Sequence, residues 1–157
     1  MLKIPSKISI TVSIAVSVVF FALCIAFGFY MPEFAKLMVR AVNDLGIADV
    51  TASGENVVLG LAYVSLVLIV VIDVLLFVLL LRVKASKVFT SESVALIRGV
   101  SWGCYLVAAV FCGLAYYFTF VALVIAFVTA FLGLCLRVVK NVIEEATEIK
   151  SENDLTV

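Results

Sequence analysis

One acidic side chain lies inside the most apolar stretch of this sequence. Asp73 is the only charged residue between Val57 and Arg82. A carboxylate is costly in a segment that crosses a bilayer, so residues of this kind usually face a cavity or a partner group. Desolvation favours the neutral form of an acid, and the apolar segments offer no Lys or Arg to pair with it. We therefore expect a carboxylic acid that is neutral at rest and can bind a proton or a ligand.

The depth of Asp73 predicts its neighbours. It lies nine residues from Arg82, which is about 13 Å along a helix. Ser17 and Thr129 fall near the same depth in two other apolar segments, and a hydroxyl can donate to a carboxylate or share the proton of an acid. The sequence predicts a small polar cluster of Ser17, Asp73 and Thr129. The leading interpretation is a hydrogen bond that holds helices together. A site that binds a ligand or a proton is the second hypothesis, and a contact between subunits is the third.

Other side chains that could carry catalysis or bind metal are scarce. The chain has no His, which removes imidazole bases and the commonest metal ligand. Asp73 alone cannot complete an acid–base pair, so we expect that the protein is not an enzyme and needs no metal or cofactor. The four cysteines lie in apolar runs without a Cys-x-x-Cys pair, and we expect small buried packing residues: Cys24, Cys104, Cys112 and Cys135.

Composition indicates which elements position these residues. Hydrophobic residues make up 66% and charged residues 14% of the chain, whereas soluble domains are about half apolar and a quarter charged. A membrane-spanning helix needs about 20 apolar residues, and the charge-free run between Arg98 and Arg137 is long enough for two. The sequence predicts an all-α, integral membrane four-helix bundle in a single domain, with spans at about 8–30, 57–81, 99–117 and 118–136.

The distribution of Lys and Arg predicts the orientation. Of eleven such residues, only Lys36 and Arg40 lie in the loop 31–56, and the turn between the last two spans has none. The others lie in the N-terminal tail, the loop 82–98 and the tail 137–157. Cytoplasmic segments carry the excess of Lys and Arg, so both termini are predicted to be cytoplasmic.

The loop on the outer side is predicted to contain a short amphipathic helix. Apolar residues recur at helical spacing from Met31 to Leu45. Pro32 suits the first turn of a helix, and Gly46 is a natural stop. A flexible return is expected over 47–56. On the inner side, Thr90 is predicted to cap a helix that runs into the third span.

The fourth span is predicted to continue as a cytoplasmic helix. Apolar residues recur at three- and four-residue steps from Val138 to Ile149. The other face is acidic, which argues against binding to anionic lipid and favours a basic partner or the ends of other spans. We expect contact with a cytoplasmic protein partner through Glu144, Glu145, Glu148 and Asp154.

Small residues at helical spacing line the third and fourth spans. Gly99 and Gly103 form one pair, and alanines from Ala122 to Ala130 follow the fourth span. Such faces let helices pack closely. Packing within one bundle is predicted, with a homo-oligomer as the alternative.

Two segments resemble a known family over essentially the whole chain. One is Val88-Phe89-Thr90-Ser91-Glu92-Ser93-Val94, followed by Ser101-Trp102-Gly103-Cys104. The other runs from Leu136-Arg137-Val138-Val139-Lys140-Asn141-Val142 to Glu152-Asn153-Asp154-Leu155-Thr156-Val157. The chain resembles the bacterial membrane proteins of domain of unknown function 2975. The resemblance implies a four-span inner-membrane protein, often encoded beside a small helix-turn-helix regulator, and it implies no activity or catalytic residue.

Two functions follow as expectations. The first is a non-enzymatic protein of the bacterial inner membrane that binds or senses a ligand or partner. The alternative is a small oligomeric transporter or channel subunit that uses Asp73 as a protonatable site. The expected partners are the lipid bilayer, a cytoplasmic protein and a second copy of the chain. The net charge of +0 gives no indication of nucleic-acid binding.

Overall fold

A computed structural model describes the backbone of residues 6–85, 89–118 and 120–155, and the side chains of residues 9–85, 89–118, 120–150 and 152. These residues form four helices and no strand. All four helices are long and apolar enough to cross a membrane, which confirms the predicted all-α, four-span architecture. The helices are α1 (Ser6–Asp44), α2 (Ala52–Lys84), α3 (Ser91–Phe118) and α4 (Phe120–Leu155).

Each helix packs most extensively on the next one in the chain, so α3 lies between α2 and α4. The end of the bundle where α1 joins α2 and α3 approaches α4 is called the loop end, and the opposite end is called the terminal end. At the loop end, side chains from all four helices and the α1–α2 loop form one buried apolar cluster: Val39, Val42, Val50, Val58, Leu114 and Ala122.

The predicted short outer helix is not a separate element, because α1 continues through Pro32 to Asp44. Proline has no N–H to donate to the carbonyl four residues earlier, and that loss usually kinks or ends a helix. The carbonyl left over belongs to Gly28, and it accepts a hydrogen bond of 3.2 Å from the hydroxyl of Tyr63 on α2. The neighbouring helix thus satisfies the backbone group that Pro32 leaves unpaired, and the predicted helix boundary at Met31 was wrong.

Gly46 ends α1 with a φ of 65°. Its N–H donates to the carbonyl of Asn43 at 3.0 Å, and the N–H of Ile47 donates to Val42 at 3.1 Å. This pair of bonds is the common glycine-terminated helix end. The stop predicted at Gly46 is therefore observed.

The return to α2 is shorter and more ordered than the sequence predicts. The side chain of Asn43 accepts from the N–H of Val50 at 2.9 Å and donates to its carbonyl at 3.2 Å. Thr51 then caps α2 by accepting from the N–H of Gly54 at 3.4 Å. Because α2 begins at Ala52, the second half of the predicted flexible return is helical.

The small residues of α3 face its two neighbours. A Cβ on Gly103 would lie 2.6 Å from Cγ1 of Ile72 on α2, and a Cβ on Gly99 would lie 3.2 Å from Leu75. On the other side, the hydroxyl of Ser101 donates to the carbonyl of Gly133 on α4 at 2.9 Å. These contacts are the close approaches within one bundle that the small-residue faces predict.

The cysteines only partly follow the prediction of four buried residues. Cys24 is buried and Cys104 half-buried, whereas Cys112 and Cys135 are exposed on the surface of the bundle. An apolar run in a membrane protein does not distinguish a side chain that faces the core from one that faces lipid, and this explains the two errors. All four cysteines are free thiols.

Candidate intramembrane binding site

Asp73 lies on the face of α2 that packs against α1. Its carboxyl oxygen Oδ1 accepts a hydrogen bond of 2.9 Å from the hydroxyl of Ser17 on α1. The two residues are 7% and 8% exposed, respectively. The depth argument thus places Ser17 correctly beside Asp73, although a role for the pair in binding a ligand or proton stays a prediction.

Thr129 does not hydrogen-bond to this pair. Its hydroxyl donates to carbonyls of its own helix, those of Ile125 at 2.8 Å and Ala126 at 3.1 Å. A threonine in a helix commonly makes this bond, because its hydroxyl reaches the carbonyls of the preceding turn. Distance from the membrane surface gives the height of a residue but not the direction it faces around its helix, so the sequence could not exclude this arrangement.

A large apolar cavity lies between α1 and the other three helices. Its volume is about 940 Å³, it is partly open, and every helix contributes to its wall. Tyr30 and Ser65 are the wall residues with a side-chain hydroxyl group, and Cys24, Met31 and Met38 are those with a side-chain sulfur atom. The rest of the wall is aliphatic and aromatic, with Phe20, Leu66, Ile69, Phe111, Leu114 and Ala122 among its residues.

The cavity reaches to one helical turn from the Ser17–Asp73 pair. On α2, Ser65 and Ile69 line the cavity, and Asp73 follows Ile69 after four residues. On α1, Phe20 and Cys24 line it. Residues three and four apart lie one above the other on a helix. The polar pair therefore lies directly beyond the end of the cavity that points to the terminal end.

Polar contacts also fasten the α1 wall of this cavity. Besides the Ser17 bond, the hydroxyl of Tyr63 holds the carbonyl of Gly28. Gly28 itself packs closely, since a Cβ there would lie 3.3 Å from Leu66. Sequence reasoning missed this contact. Pro32 is the residue that could have predicted this contact. A proline inside a helix leaves the carbonyl four residues earlier without its backbone hydrogen bond, so the carbonyl of Gly28 needs another donor.

At the terminal end, Glu144 joins α4 to α3. Its carboxylate accepts from Arg98 at 3.2 Å and from Lys140. The hydrogen bond from Lys140 is the main cause that lowers the pKa of Glu144 from 4.5; desolvation opposes it, and the charges of Lys140 and Arg98 lower it further. Glu144 lies seven residues beyond Arg137, outside the apolar part of α4.

Glu144 pairs with Arg98 and Lys140 within the chain. Its contact with a cytoplasmic partner stays a prediction. Glu145 and Glu148 are exposed on α4. Asp154 belongs to α4, but its side chain lies outside the described ones.

Thr90 begins α3 as its predicted cap. Its hydroxyl accepts from the N–H of Ser93 at 3.3 Å. Arg82 of α2 pairs with Glu92 in the first turn of α3, and Arg137 of α4 stacks 5.4 Å from the ring centre of Trp102 on α3. The terminal ends of three helices are therefore joined by charge-bearing contacts.

The described part of the chain has a further pocket and no metal site. A smaller pocket of about 440 Å³ lies at the loop end between Asp49, Thr51, Tyr116 and Tyr117. No group of three Cys, Asp or Glu side chains in that part of the chain is arranged to hold a metal ion.

Fold and composition define the class of the chain as an all-α, multi-pass membrane protein. A family model matches residues 3–157, and its description is protein of unknown function (DUF2975). The chain belongs to this family. Neither curated proteins nor solved structures give a match.

Proposed function

We propose that the protein is a non-enzymatic membrane protein that binds an apolar ligand between its helices. Ligand binding is signalled to a partner at the terminal end of the bundle. The observation that carries this proposal is the cavity of about 940 Å³. Binding sites for small molecules have volumes of roughly 300–1,000 Å³ and are mostly apolar with few polar groups. The cavity is at the upper end of this range, so a ligand with a long chain or several rings suits it.

All four helices line this cavity, and this supports a sensing role. A molecule held there would contact α1 on one side and α2, α3 and α4 on the other. A ligand changes an equilibrium between two arrangements only if it binds one of them better. Here the bound ligand favours the arrangement in which α1 is held at its present distance from α3 and α4.

The bound state is read in the cytoplasm. We propose a location in the bacterial inner membrane, which the family resemblance implies, with both termini inside, which the Lys and Arg distribution supports. The proposed partner surface is the exposed side of α4 at Glu145 and Glu148. A small helix-turn-helix regulator, which the family resemblance implies, is the partner we propose.

Native mass spectrometry of the full chain tests ligand binding. The protein is purified with bacterial lipid in mild detergent, and co-purifying apolar molecules are identified. Ala62 lines the cavity, so Ala62→Phe should lose them. The control is Val67→Phe on the same helix, where the side chain is 60% exposed and added bulk projects away from the bundle. Equal retention by both variants would contradict the proposal.

A second candidate is the oligomeric transporter or channel subunit. The buried Asp73, with Ser17 as its hydrogen-bond donor, supports it. One carboxyl per chain requires several chains to build a pathway, so this candidate predicts an oligomer in lipid. Asp73→Asn should abolish any proton-coupled flux, because an amide accepts the Ser17 bond but does not titrate. A strictly monomeric protein in lipid nanodiscs would exclude this candidate.

A further inference from the structure

Asp73 has an unused hydrogen-bonding atom. Oδ1 accepts from Ser17, and no described hydrogen bond reaches Oδ2. Among the described residues, the one fully buried side-chain N or O atom without a partner is Nε of Arg82. Oδ2 of Asp73 is therefore unpaired but not sealed off. Asp73 is only 7% exposed, and one of its two oxygens thus has no hydrogen-bond partner among the described residues and is not completely enclosed.

Among the described side chains, no Lys or Arg forms an ion pair or hydrogen bond with Asp73. Arg82, the nearest basic residue along α2, lies nine residues away and pairs with Glu92. On α1, the residues that surround Ser17 from Ser9 to Tyr30 carry no charge. A buried carboxylate without a cationic partner is costly. A ligand that brings a basic nitrogen removes this cost, whereas an anionic ligand raises it.

The cavity and the carboxyl group of Asp73 follow one another along the facing sides of α1 and α2. The apolar wall ends at Phe20, Cys24 and Ile69, and Ser17 and Asp73 follow on the same helix faces one turn further. One molecule with an apolar body and a basic end would fill the cavity and place that end against Oδ2.

We propose that the ligand is an amphiphilic amine, with its apolar body in the cavity and its nitrogen on Asp73. This inference rests on the proposed function. The basic nitrogen of the amine donates a hydrogen bond to Oδ2 of Asp73 and supplies the positive charge that α1 and α2 do not provide there. Ser17 continues to donate to Oδ1 and holds the carboxylate in place.

Two probes of equal chain length, dodecylamine and dodecanol, test the inference. Both partition into detergent and lipid, and only the amine can form a positively charged group that pairs with Asp73. Native mass spectrometry of the full chain measures the apparent affinity of each. Charge-assisted hydrogen bonds are the stronger ones, so dodecylamine should bind at least about tenfold more tightly than dodecanol.

Variants distinguish the contribution of the Asp73 carboxyl group to ligand binding from the contribution of the apolar cavity. Asp73→Asn should reduce dodecylamine binding to the level of dodecanol and leave dodecanol binding unchanged, which also shows that the cavity is intact. Asp49→Asn, at an exposed acid of the loop end, should leave both affinities unchanged. Equal affinities in the unaltered protein, or amine binding that survives Asp73→Asn, would overturn the inference and leave the proposed function standing. Binding of neither probe, or binding insensitive to Ala62→Phe, would instead overturn the proposed function.

Discussion

At the scale of single residues, two hydrogen bonds join α1 to α2, and each satisfies a different kind of polar group. Ser17 donates to a buried acid that has no cationic partner. Tyr63 donates to the carbonyl that Pro32 leaves without an intrahelical donor. Both bonds lie beside the wall of the cavity, so they determine how firmly α1 closes it.

Ser17→Ala should destabilise the protein by about 0.6 kcal/mol, the mean for hydrogen bonds between membrane helices, and by at most about 1.7 kcal/mol. Reversible unfolding in mixed micelles measures the difference. The control is Ser13→Ala, because the hydroxyl of Ser13 bonds to Ser9 within the same helix. Equal effects from the two variants would show that the Ser17 bond adds nothing between helices.

Tyr63→Phe removes the donor at Gly28 and should cost about 1 kcal/mol of unfolding free energy. Pro32→Ala restores the N–H that Gly28 would accept within α1. The cost of Tyr63→Phe should therefore be smaller in the Pro32→Ala background, and a double-mutant cycle measures this coupling. Additive effects would mean that Tyr63 does not compensate for Pro32.

The sequence predicts how deep in the membrane a side chain lies, but not the direction in which it faces around its helix. The number of residues between a side chain and the charged end of its helix predicts the depth of that side chain in the membrane. This residue count placed Ser17 beside Asp73. It cannot fix direction around the helix, so it also selected Thr129, whose hydroxyl bonds to its own backbone. An apolar run does not fix direction either: Cys112 and Cys135 were predicted to be buried because they lie in such runs, and they are exposed.

At the scale of helices, α3 is packed by small residues between α2 and α4. Gly103 admits Ile72 of α2, and Gly133 of α4 admits the side chain of Tyr105, whose Cε1 lies 3.3 Å from the position of a Cβ. Local patterns predicted these close approaches. They did not predict that α1 runs through Pro32, since the donor that permits it comes from Tyr63, 31 residues further along the chain.

Gly103→Ala should cost about 1–3 kcal/mol, because the new methyl group would overlap Ile72 and force the helices apart. Thermal unfolding in detergent checks this. Gly60→Ala is the matched control on α2, where a Cβ meets nothing within 4 Å, and it should be neutral or slightly stabilising. Ile72→Ala should restore stability in the Gly103→Ala background; failure of this rescue would contradict the assigned contact.

The link between Glu144 and Arg98 should depend on pH. The pKa of Glu144 is lowered in the folded state from 4.5, so the link is complete above that value and is lost as the pH falls through the lowered pKa. Spin labels at Ala95 and Ile149 in a cysteine-free background report the separation of α3 and α4. Their distance distribution should broaden on acidification, and Glu144→Gln should broaden it at neutral pH.

Glu145→Gln is the control for this experiment, because Glu145 is an exposed acid on the same turn of α4. It should leave the distance distribution narrow at neutral pH. An unchanged distribution in Glu144→Gln would show that the ion pair does not hold the two helices together.

At the scale of the whole molecule, the four spans follow from composition and length, whereas the cavity does not. Segments of about 20 apolar residues predict membrane-spanning helices in any membrane protein. A cavity arises from the way the helices pack, and here α1 stands away from α3 and α4 over the stretch walled by residues such as Phe27 and Phe111. No local pattern in the sequence encodes that separation.

The central claim is that this cavity holds an apolar ligand. Photocrosslinking of the full chain in lipid nanodiscs with a diazirine-bearing fatty alcohol tests it most directly, because mass spectrometry maps each labelled residue. The account predicts saturable labelling at wall residues such as Leu66, Phe111 and Leu114, and this labelling should be displaced by excess unlabelled alcohol. Labelling that does not saturate, and that follows only exposed side chains such as Phe127 and Leu132, would contradict it.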